Sequence, residues 1–421
     1  MLLQTPPGSM KFNIANLRNS FSFFKDPVAF TQKNRALFGS LFAFKLFGMP
    51  FLFLCDSKYK DWALNGEGDY LKNDWQPTLT RLFWPSTLPL LEGERHLKQR
   101  QLAAQILQDR FTNRLAEMKS FIDSAVSAFS QNSNFVCERD FKKLTAQIAS
   151  VSFLGRDLDL LQSLEVWVAG FFAPLPLDLP WTAFGAGLQQ KKQIKNKILA
   201  EIRKTPQLYA KYEMREEDLA EELQHLMFAS YNTTAVALTN CMVLLSMRPD
   251  VKNRLRGAIT ADDSKLTENP LGCSDLNGFI FFILTQIPSV IGIFRETKRN
   301  CQLENYEIPR GWKVVLQPSH ETLLTDDRFI LKNKTPIEEI FSSLRNRKSD
   351  SFYPFGAGAR TCLGKNVALN ELALVLISFL KKYDWSTPDQ QDLSYKKMPF
   401  PLPRSGLKIE LKDYKNESAS A

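Results

Sequence analysis

The stretch that decides the fold is "SFYPFGAGARTCLG", Ser351 to Gly364. It holds three glycines and an arginine around one cysteine, Cys362, directly before the apolar run "KNVALNELALVLISFLKKY", Lys365 to Tyr383. Glycines let a backbone approach a flat, bulky group, and the dipole of a following helix favours a thiolate. The pattern fits a thiolate that binds a metal. A buried inert cysteine and a nucleophile stay open, although a nucleophile needs a base such as His320.

The rest of the chain is typical of a mainly helical protein with small β-sheets. Its longest helical pattern is "EEDLAEELQHLMFASYNTTAVALTNCMVLLSM", Glu216 to Met247, which is apolar almost all round in its second half and therefore predicts a buried central helix. The polar group "SYNTT", Ser230 to Thr234, lies at its centre and needs hydrogen-bond partners or a function. Further helices are predicted at Glu94–Phe111, Asn113–Phe129 and Leu188–Lys204.

Strand patterns occur in two places. Aromatic runs on either side of Gly48-Met49-Pro50 predict a hairpin, and Cys301–Pro318 predicts a second hairpin that turns at Pro309-Arg310-Gly311. We expect one domain over residues 1–421, with a β-rich N-terminal part at about 35–60, the hairpin at 301–318 and a helical body at 94–383.

Composition narrows the function. The chain has 421 residues and a net charge of +9, but no nucleic-acid motif accompanies the basic residues, so we expect no nucleic-acid partner. Six scattered cysteines and three histidines fit neither a disulfide framework nor a zinc site. The N-terminal sequence lacks a signal-peptide pattern, and the apolar stretch Leu37–Asp56 is broken by Lys45 and Pro50. We expect a soluble cytoplasmic protein without a transmembrane anchor.

The glycine-rich stretch resembles the haem-binding signature of the cytochrome P450 family, phenylalanine-x-x-glycine-x-arginine-x-cysteine-x-glycine. Phe355, Gly358, Arg360, Cys362 and Gly364 fill all of its positions. The resemblance implies the P450 fold, with haem between the long central helix and the cysteine loop. Cysteine thiolate is one of the recognised haem ligands.

The resemblance implies roles for individual residues. Cys362 is the axial iron ligand of haem b (iron protoporphyrin IX), with Phe355 near its sulfur. "LMFASYNTTA", Leu226 to Ala235, is similar to the family's oxygen-handling segment, and its candidate catalytic residues are Thr233, Thr234 and Asn232, which stands where the family carries an acid. The other positions similar to haem contacts are Arg360, Gly358, Gly364, Ala229, His96 and Arg100 in "RHLKQRQ", and Arg295 in "IFRETKR".

Within the family, the chain looks most like the retinoic-acid hydroxylase branch, which includes cyanobacterial members. "PPGSMKF", "FFAPLPLDLPWTAF" and "HLKQRQ" are the stretches that carry this likeness. It implies an apolar substrate, such as an isoprenoid, a retinoid or a fatty-acid-like molecule. The positions similar to substrate contacts are Trp75, Leu82, Phe83, Val290, Ile291 and Phe294.

The implied reaction is monooxygenation with dioxygen and two electrons from a separate donor. We expect a ferredoxin-type donor with its reductase, because the chain has no flavin or iron–sulfur segment. Two alternatives stay open: a haem-thiolate enzyme that uses peroxide or isomerises hydroperoxides, and a degenerate haem-binding protein without activity. A docking face for the donor is expected from Arg95, Lys98, Arg345, Arg347 and Lys348.

One family feature is missing at its expected place. The family carries glutamate-x-x-arginine on a helix, and alignment on Pro288 puts Phe282 and Thr285 at those two positions. Glu296 and Arg299 have the right spacing but follow Pro288 and lead into a hairpin. Arg328 would be the third partner of the ionic group. We therefore expect an atypical P450 with weakened haem retention.

Overall fold

A computed structural model of the chain describes residues 4–10, 14–75, 80–131, 134–173, 176–266, 268–317, 335–342 and 354–414. Helices make up most of the described residues, as the sequence predicts. They are α1 (Ile14–Lys25), α2 (Pro27–Phe38), α3 (Lys60–Asn65), α4 (Gly93–Arg110), α5 (Leu115–Ser127), α6 (Cys137–Leu154), α7 (Leu161–Phe171), α8 (Ala183–Lys204), α9 (Glu216–Met247), α10 (Pro249–Leu266), α11 (Ser274–Gln286), α12 (Ile337–Ser342) and α13 (Lys365–Lys382).

The principal sheet has the strand order β1-β2-β3-β9-β6-β4. The pairs β1/β2 and β3/β9 are parallel, and the other neighbours are antiparallel. Smaller sheets join β10, β13 and β5, then β11 and β12, then β7 and β8. The strands are β1 (Gly8–Ser9), β2 (Leu41–Leu46), β3 (Met49–Leu54), β4 (Leu71–Asn73), β5 (Phe135–Val136), β6 (Ile293–Thr297), β7 (Cys301–Leu303), β8 (Tyr306–Ile308), β9 (Lys313–Leu316), β10 (Tyr383–Ser386), β11 (Tyr395–Lys396), β12 (Leu402–Pro403) and β13 (Lys408–Asp413).

The N-terminal hairpin is confirmed. Strands β2 and β3 pair in register from Leu41 with Leu54 to Leu46 with Met49. Phe47 and Gly48 connect them with φ angles of 47° and 80°. Two successive positive φ angles give a turn whose twist matches that of the paired strands.

The second hairpin differs from the prediction in its turn. β7 pairs with β8 around Glu304 and Asn305, where Glu304 has a φ of 52°. The turn predicted at Pro309-Arg310-Gly311 leads instead into β9, which pairs with β6. The Thr297 side chain holds this second turn, because its hydroxyl donates to the Pro309 carbonyl at 2.7 Å and accepts from the Trp312 N–H at 2.9 Å.

The central helix α9 begins and ends where the sequence predicts, at Glu216 and Met247. Its first turn is acidic, with Glu216, Glu217 and Asp218, which suits the positive end of a helix dipole. Most of its later residues belong to the largest apolar cluster, which also takes in α6, α8, α11 and α13. Within the described residues, no helix combines the length and hydropathy that a membrane span needs.

Candidate active site

The loop at residues 354–364, here named the cysteine loop, positions Cys362 at the start of α13. The Cys362 N–H donates to the Phe355 carbonyl at 2.8 Å, which folds the loop back on itself. Gly358 has a φ of 68°, and a Cβ there would lie 2.7 Å from the Leu64 carbonyl oxygen. Only glycine fits this combination of torsion angle and close backbone approach. The glycine at position 358 of this pattern is therefore a requirement of the backbone.

The Cys362 side chain opens into an internal cavity of about 550 Å³. The Cys362 side chain is exposed because it faces this cavity, and protein surrounds it on its other sides. Burial raises the pKa of the thiol, while the Gly364 N–H, Arg100 and Lys365 act in the opposite direction. This burial disfavours a thiolate that is permanently ionised and nucleophilic. A bound metal cation, in contrast, would keep the sulfur ionised.

The central helix forms another side of the cavity through Ala229, Thr233 and Thr234, here named the threonine face. Thr233 Oγ1 donates to the Ala229 carbonyl at 2.9 Å, and Ser289 Oγ donates to the Thr233 carbonyl at 2.9 Å. Ala229 is exposed only because it faces the cavity. Asn232 points elsewhere: it is 6% exposed, does not line the cavity, and its Oδ1 has no hydrogen-bond partner among the described residues.

Three arginines, Arg100, Arg295 and Arg360, line one end of the cavity, here named the arginine end. Arg360 donates to the carbonyls of Leu88 and Leu91, and Arg100 donates to the Thr361 carbonyl at 2.6 Å. His96 lines the same end; burial lowers its pKa, and Arg360 lowers it further, which keeps the ring neutral.

Glu67 lies between two of these arginines and was not predicted from the sequence. Its carboxylate accepts from Arg360 Nε and forms an ion pair with Arg295 Nε at 3.4 Å, too long and poorly aligned for a hydrogen bond. The Glu67 and Arg295 side chains are 11% and 6% exposed. Three arginines and one glutamate leave two uncompensated positive charges in a largely buried place.

These residues fit haem on observations of this structure. Arg295 Nε and His96 Nε2 are buried without hydrogen-bond partners among the described residues. The two excess positive charges match a dianion such as a pair of propionates. A cysteine sulfur and apolar side chains, including Leu107, Val367 and Leu372, line the same cavity. A flat, apolar dianion with a metal that binds sulfur satisfies all of these groups together.

The chain matches the sequence profile described as "Cytochrome P450" over residues 185–271 and 285–411, just over half of its length. The chain belongs to the cytochrome P450 family. It is 24% identical to cytochrome P450 120 of Synechocystis, over 97% of each chain. It is 25% identical to human cytochrome P450 26B1, over 89% of this chain and 81% of the relative, and 23% identical to abscisic acid 8'-hydroxylase 1 of Arabidopsis thaliana, over 97% and 91%.

The P450 fold is confirmed by a solved structure, retinoic acid-bound cyanobacterial CYP120A1. It superposes with a TM-score of 0.84 at 23% identity and covers 98% of this chain and 100% of that one. The likeness to retinoic-acid hydroxylases and to a cyanobacterial member, expected from the sequence, is therefore confirmed at the level of family and fold.

Most substrate positions expected for a P450 of this branch line the cavity: Trp75, Phe83, Val290 and Phe294. Leu82 and Ile291 do not. Leu82 is fully buried between Gly170 and Gly187, where a Cβ on either glycine would meet it at 3.3 Å. Of the haem positions, Gly358 alone is absent from the cavity lining, because it packs against the backbone of Leu64; the others line it: Cys362, Arg360, Phe355, Gly364, Arg100, His96, Arg295 and Ala229.

Among the residues that line the cavity of this P450 without having been predicted are His225, Phe228 and Glu371. Burial raises the pKa of Glu371 to about 8, and its Oε1 has no hydrogen-bond partner among the described residues. Helical spacing was the available signal for His225, which precedes Ala229 and Thr233 by one and two turns on the same helix face.

Glu296 and Arg299 do not form a helical ion pair. Glu296 lies on β6 and pairs with Lys313 at 2.7 Å and Lys72 at 3.1 Å, while Arg299 pairs with Asp69 at 2.7 Å. On α11, Phe282 is 3% exposed in the apolar core, and the Thr285 hydroxyl donates to the Phe281 carbonyl.

Of the residues expected to dock the electron donor, Arg95 and Lys98 are exposed on α4. Arg328, Arg345, Arg347, Lys348 and His320 lie outside the described residues.

Proposed function

We propose that this P450 is a haem-thiolate monooxygenase that hydroxylates an apolar molecule. The supporting observation is a single cavity that holds Cys362, the threonine face and the arginine end together. Haem, when bound, activates dioxygen with two electrons and puts one oxygen atom into a C–H bond, while the second oxygen leaves as water with two protons. The chain positions the substrate, supplies the protons and excludes bulk water. We also propose that residues 1–421 form one P450 domain.

The cofactor in this proposal is haem b. Cys362 would supply the sulfur ligand, and Phe355 and Gly364 lie beside it in the cysteine loop. Arg100, Arg295 and Arg360 would bind the two propionates, and neutral His96 would donate or accept one hydrogen bond there. Glu67 offsets the third arginine, so that the charges of the arginine end and the propionates sum to zero.

Thr233 and Thr234 bring hydroxyl groups to the reacting side of the cavity. Asn232 cannot supply a proton by ionisation, because an amide does not titrate in water. Glu371 also lines the cavity and, with a pKa raised to about 8, carries its proton at neutral pH, but it lies on α13, on the Cys362 side. We propose that protons reach the reacting side through water and the hydroxyls of Thr233 and Thr234.

The substrate is an isoprenoid, a retinoid or a fatty-acid-like molecule. Trp75, Phe83, Phe228, Val290 and Phe294 give the cavity an aromatic and aliphatic lining. The names of relatives point the same way, since one is an abscisic acid 8'-hydroxylase and the solved neighbour holds retinoic acid. An apolar lining with few polar groups orients such a molecule chiefly by shape.

A ferredoxin-type protein with its reductase delivers the electrons. Arg95 and Lys98 are exposed on α4, the same helix that contributes His96 and Arg100 to the cavity. Basic residues on this helix would attract an acidic donor to the face nearest the haem edge.

We propose that the family's glutamate-x-x-arginine pair has been replaced in this chain, as the alignment on Pro288 implies. Phe282 packs into the apolar core at the glutamate position, and Thr285 satisfies its hydroxyl within its own helix. Replacing a buried ionic group by apolar packing can leave stability unchanged, so the fold survives this loss. We propose that the loss weakens haem retention and not the fold, because an ionic group no longer fixes the position of α11.

Peroxide use, or isomerisation of a hydroperoxide, is the second candidate function. The observation that favours it is Asn232, which replaces an acid and is buried away from the cavity. A peroxide already carries the electrons and protons that the donor would deliver. Turnover with hydrogen peroxide that matches the rate with ferredoxin and reductase would favour this candidate. Absence of both activities, with haem bound, would favour the degenerate haem-binding protein.

The test of the proposed function is the absorbance of the purified, reduced protein under carbon monoxide. We expect the band of thiolate-ligated haem, and we expect Cys362→Ser to abolish it because an alcohol is not ionised at the iron in the same way. Cys301→Ser is the matched control, since Cys301 lies on β7 away from the cavity, and it should keep the band. A wild-type protein without the band would contradict the proposed function.

A further inference from the structure

One titratable side chain in the aromatic part of the cavity has no part in the haem site. His225 lies on the central helix and lines the cavity beside Phe83, whose ring also contacts Phe228. Its ring centroid is 6.2 Å from that of Phe83, with the two rings nearly perpendicular. A polar ring among aromatic side chains is unfavourable unless its nitrogens have partners.

Glu222 satisfies one of the two nitrogens. His225 Nδ1 lies 3.0 Å from Glu222 Oε1, and Glu222 is 1% exposed. The other Glu222 oxygen accepts from Gln99 Nε2 at 2.7 Å and from the Leu88 N–H at 3.2 Å. Glu222 is thus a buried carboxylate fixed from three sides, and it determines how the His225 ring is oriented.

This arrangement assigns the Nδ1 proton to the bond with Glu222. Carboxylates only accept hydrogen bonds, so Nδ1 donates and the neutral ring keeps a lone pair on Nε2. Nε2 is on the other side of the ring from Nδ1, in a side chain that remains 12% exposed toward the cavity. His225 therefore presents an oriented hydrogen-bond acceptor beside Phe83, in the aromatic part of the cavity.

His225 is not needed to connect Glu222 to the rest of the structure. Gln99 on α4 and the Leu88 backbone already tie Glu222 to the elements around it. An apolar residue at position 225 would pack against Phe83 without leaving a nitrogen toward the cavity. The oriented Nε2 therefore points to a ligand.

We propose that His225 Nε2 binds the O–H group of the substrate, an alcohol at the end of an apolar chain. The inference rests on the proposed function, because the rest of the ligand extends toward the threonine face. His225 and Thr233 are eight residues apart, about 12 Å along the helix. Oxidation then falls on a carbon remote from the O–H end. Glu222 is a positioning residue that acts through His225.

Three probes of equal chain length test this inference: dodecanoic acid, 1-dodecanol and methyl dodecanoate. At neutral pH dodecanoic acid is ionised, so neither it nor the ester has an O–H to donate. Dissociation constants are measured by equilibrium dialysis on the purified holoprotein, with the spin-state shift of the haem absorbance as a second readout. We expect 1-dodecanol to bind about tenfold more tightly than the ester, as ~1.4 kcal/mol of net hydrogen bonding gives, and dodecanoate to show no such gain.

His225→Leu should abolish this preference by weakening 1-dodecanol to the affinity of the ester. His225→Gln, whose amide oxygen can still accept, should keep part of the preference. Phe228→Leu is the matched control on the same helix, and it should weaken all three probes alike because it changes only apolar contact.

Equal affinities of the wild type for all three probes, or a preference that survives in His225→Leu, would overturn the inference. A uniform loss of binding in His225→Leu, with a lowered melting temperature, would show a structural role and overturn it as well. Dialysis needs no haem signal, so the result stands separately from the carbon-monoxide band. A protein with that band and no O–H preference contradicts this inference alone.

Discussion

The cysteine loop and the threonine face enclose the same cavity but are built in different ways. The cysteine loop depends on backbone conformation, since Gly356 and Gly358 have φ angles of 69° and 68° and Gly358 contacts the Leu64 backbone. The threonine face is regular helix, and its properties come from which side chains fall on one side of α9. Substitutions should therefore alter the structure of the first and the chemistry of the second.

The largest expected effect tests the backbone side of this comparison. Gly358→Ala adds a methyl group at positive φ, 2.7 Å from the Leu64 carbonyl oxygen, and should lower the free energy of unfolding by about 2–5 kcal/mol. Gly364→Ala is the control in the same loop, because its φ of −80° suits alanine and a Cβ there meets nothing within 4 Å. Urea unfolding of both variants measures the difference.

On the threonine face, Ala229→Val should instead leave the free energy of unfolding within about 1 kcal/mol of wild type. Ala229 faces the cavity, so the added methyl groups occupy ligand space. The spin-state titration with dodecanoic acid should then weaken. Equal destabilisation by Gly358→Ala and Ala229→Val would remove the distinction between the two regions.

Glu371 on α13 gives the next largest effect, and it depends on pH. Its pKa of about 8 in the folded chain lies above its ordinary value of 4.5, because the side chain is buried. Between those values the folded state keeps a proton that the unfolded chain has released. The free energy of unfolding should therefore fall as pH rises across this window, by at most about 1.4 kcal/mol per pH unit.

Glu371→Gln should remove that slope, since the amide does not titrate. Urea unfolding at several pH values between about 5 and 8 measures it. Glu410→Gln, on the exposed side of β13, is the control and should keep the wild-type slope. A slope that persists in Glu371→Gln would assign it to another group.

A smaller effect is expected at the arginine end, which connects the cysteine loop to β6. Glu67→Gln removes the charge that Arg295 and Arg360 share, and should lower the free energy of unfolding of the haem-free protein by about 1–3 kcal/mol. Bound haem should reduce this loss, because its propionates supply the missing negative charge. Glu304→Gln breaks the exposed pair with Lys58 and should change stability by less than about 1 kcal/mol.

The same contrast explains how much the sequence could predict. Cys362, Gly358 and Arg360 were identifiable because a backbone-determined loop leaves a contiguous pattern of fixed spacing. The central helix was predicted to its ends because its apolar periodicity is continuous over 32 residues. Glu67 and Glu222 were not predicted, because their partners lie far along the chain: Arg295 and Arg360 for Glu67, Gln99 and Leu88 for Glu222. Pairs between residues so far apart in the chain leave no pattern in the local sequence.

The second hairpin was misplaced for a related reason. Pro309-Arg310-Gly311 is a turn, as its composition indicates. The residues of a turn, however, do not determine which strands pair with each other. Thr297 determines that choice through side-chain hydrogen bonds to Pro309 and Trp312, and the β9 strand then lies beside both β3 and β6. Tertiary pairing therefore joins β9 to β6 and not to β8, the strand just before the turn.

The smallest expected effect concerns the surface outside both regions. Lys98→Glu reverses one exposed charge on α4, and should slow reduction by an acidic ferredoxin a few-fold at low salt, with the difference shrinking as ionic strength rises. The carbon-monoxide band and the unfolding free energy should stay as in wild type, because the side chain is exposed. Lys33→Glu on α2 makes the same charge change elsewhere and should not slow reduction. Equal slowing by both variants would mean that net charge, and not a docking face on α4, governs the encounter.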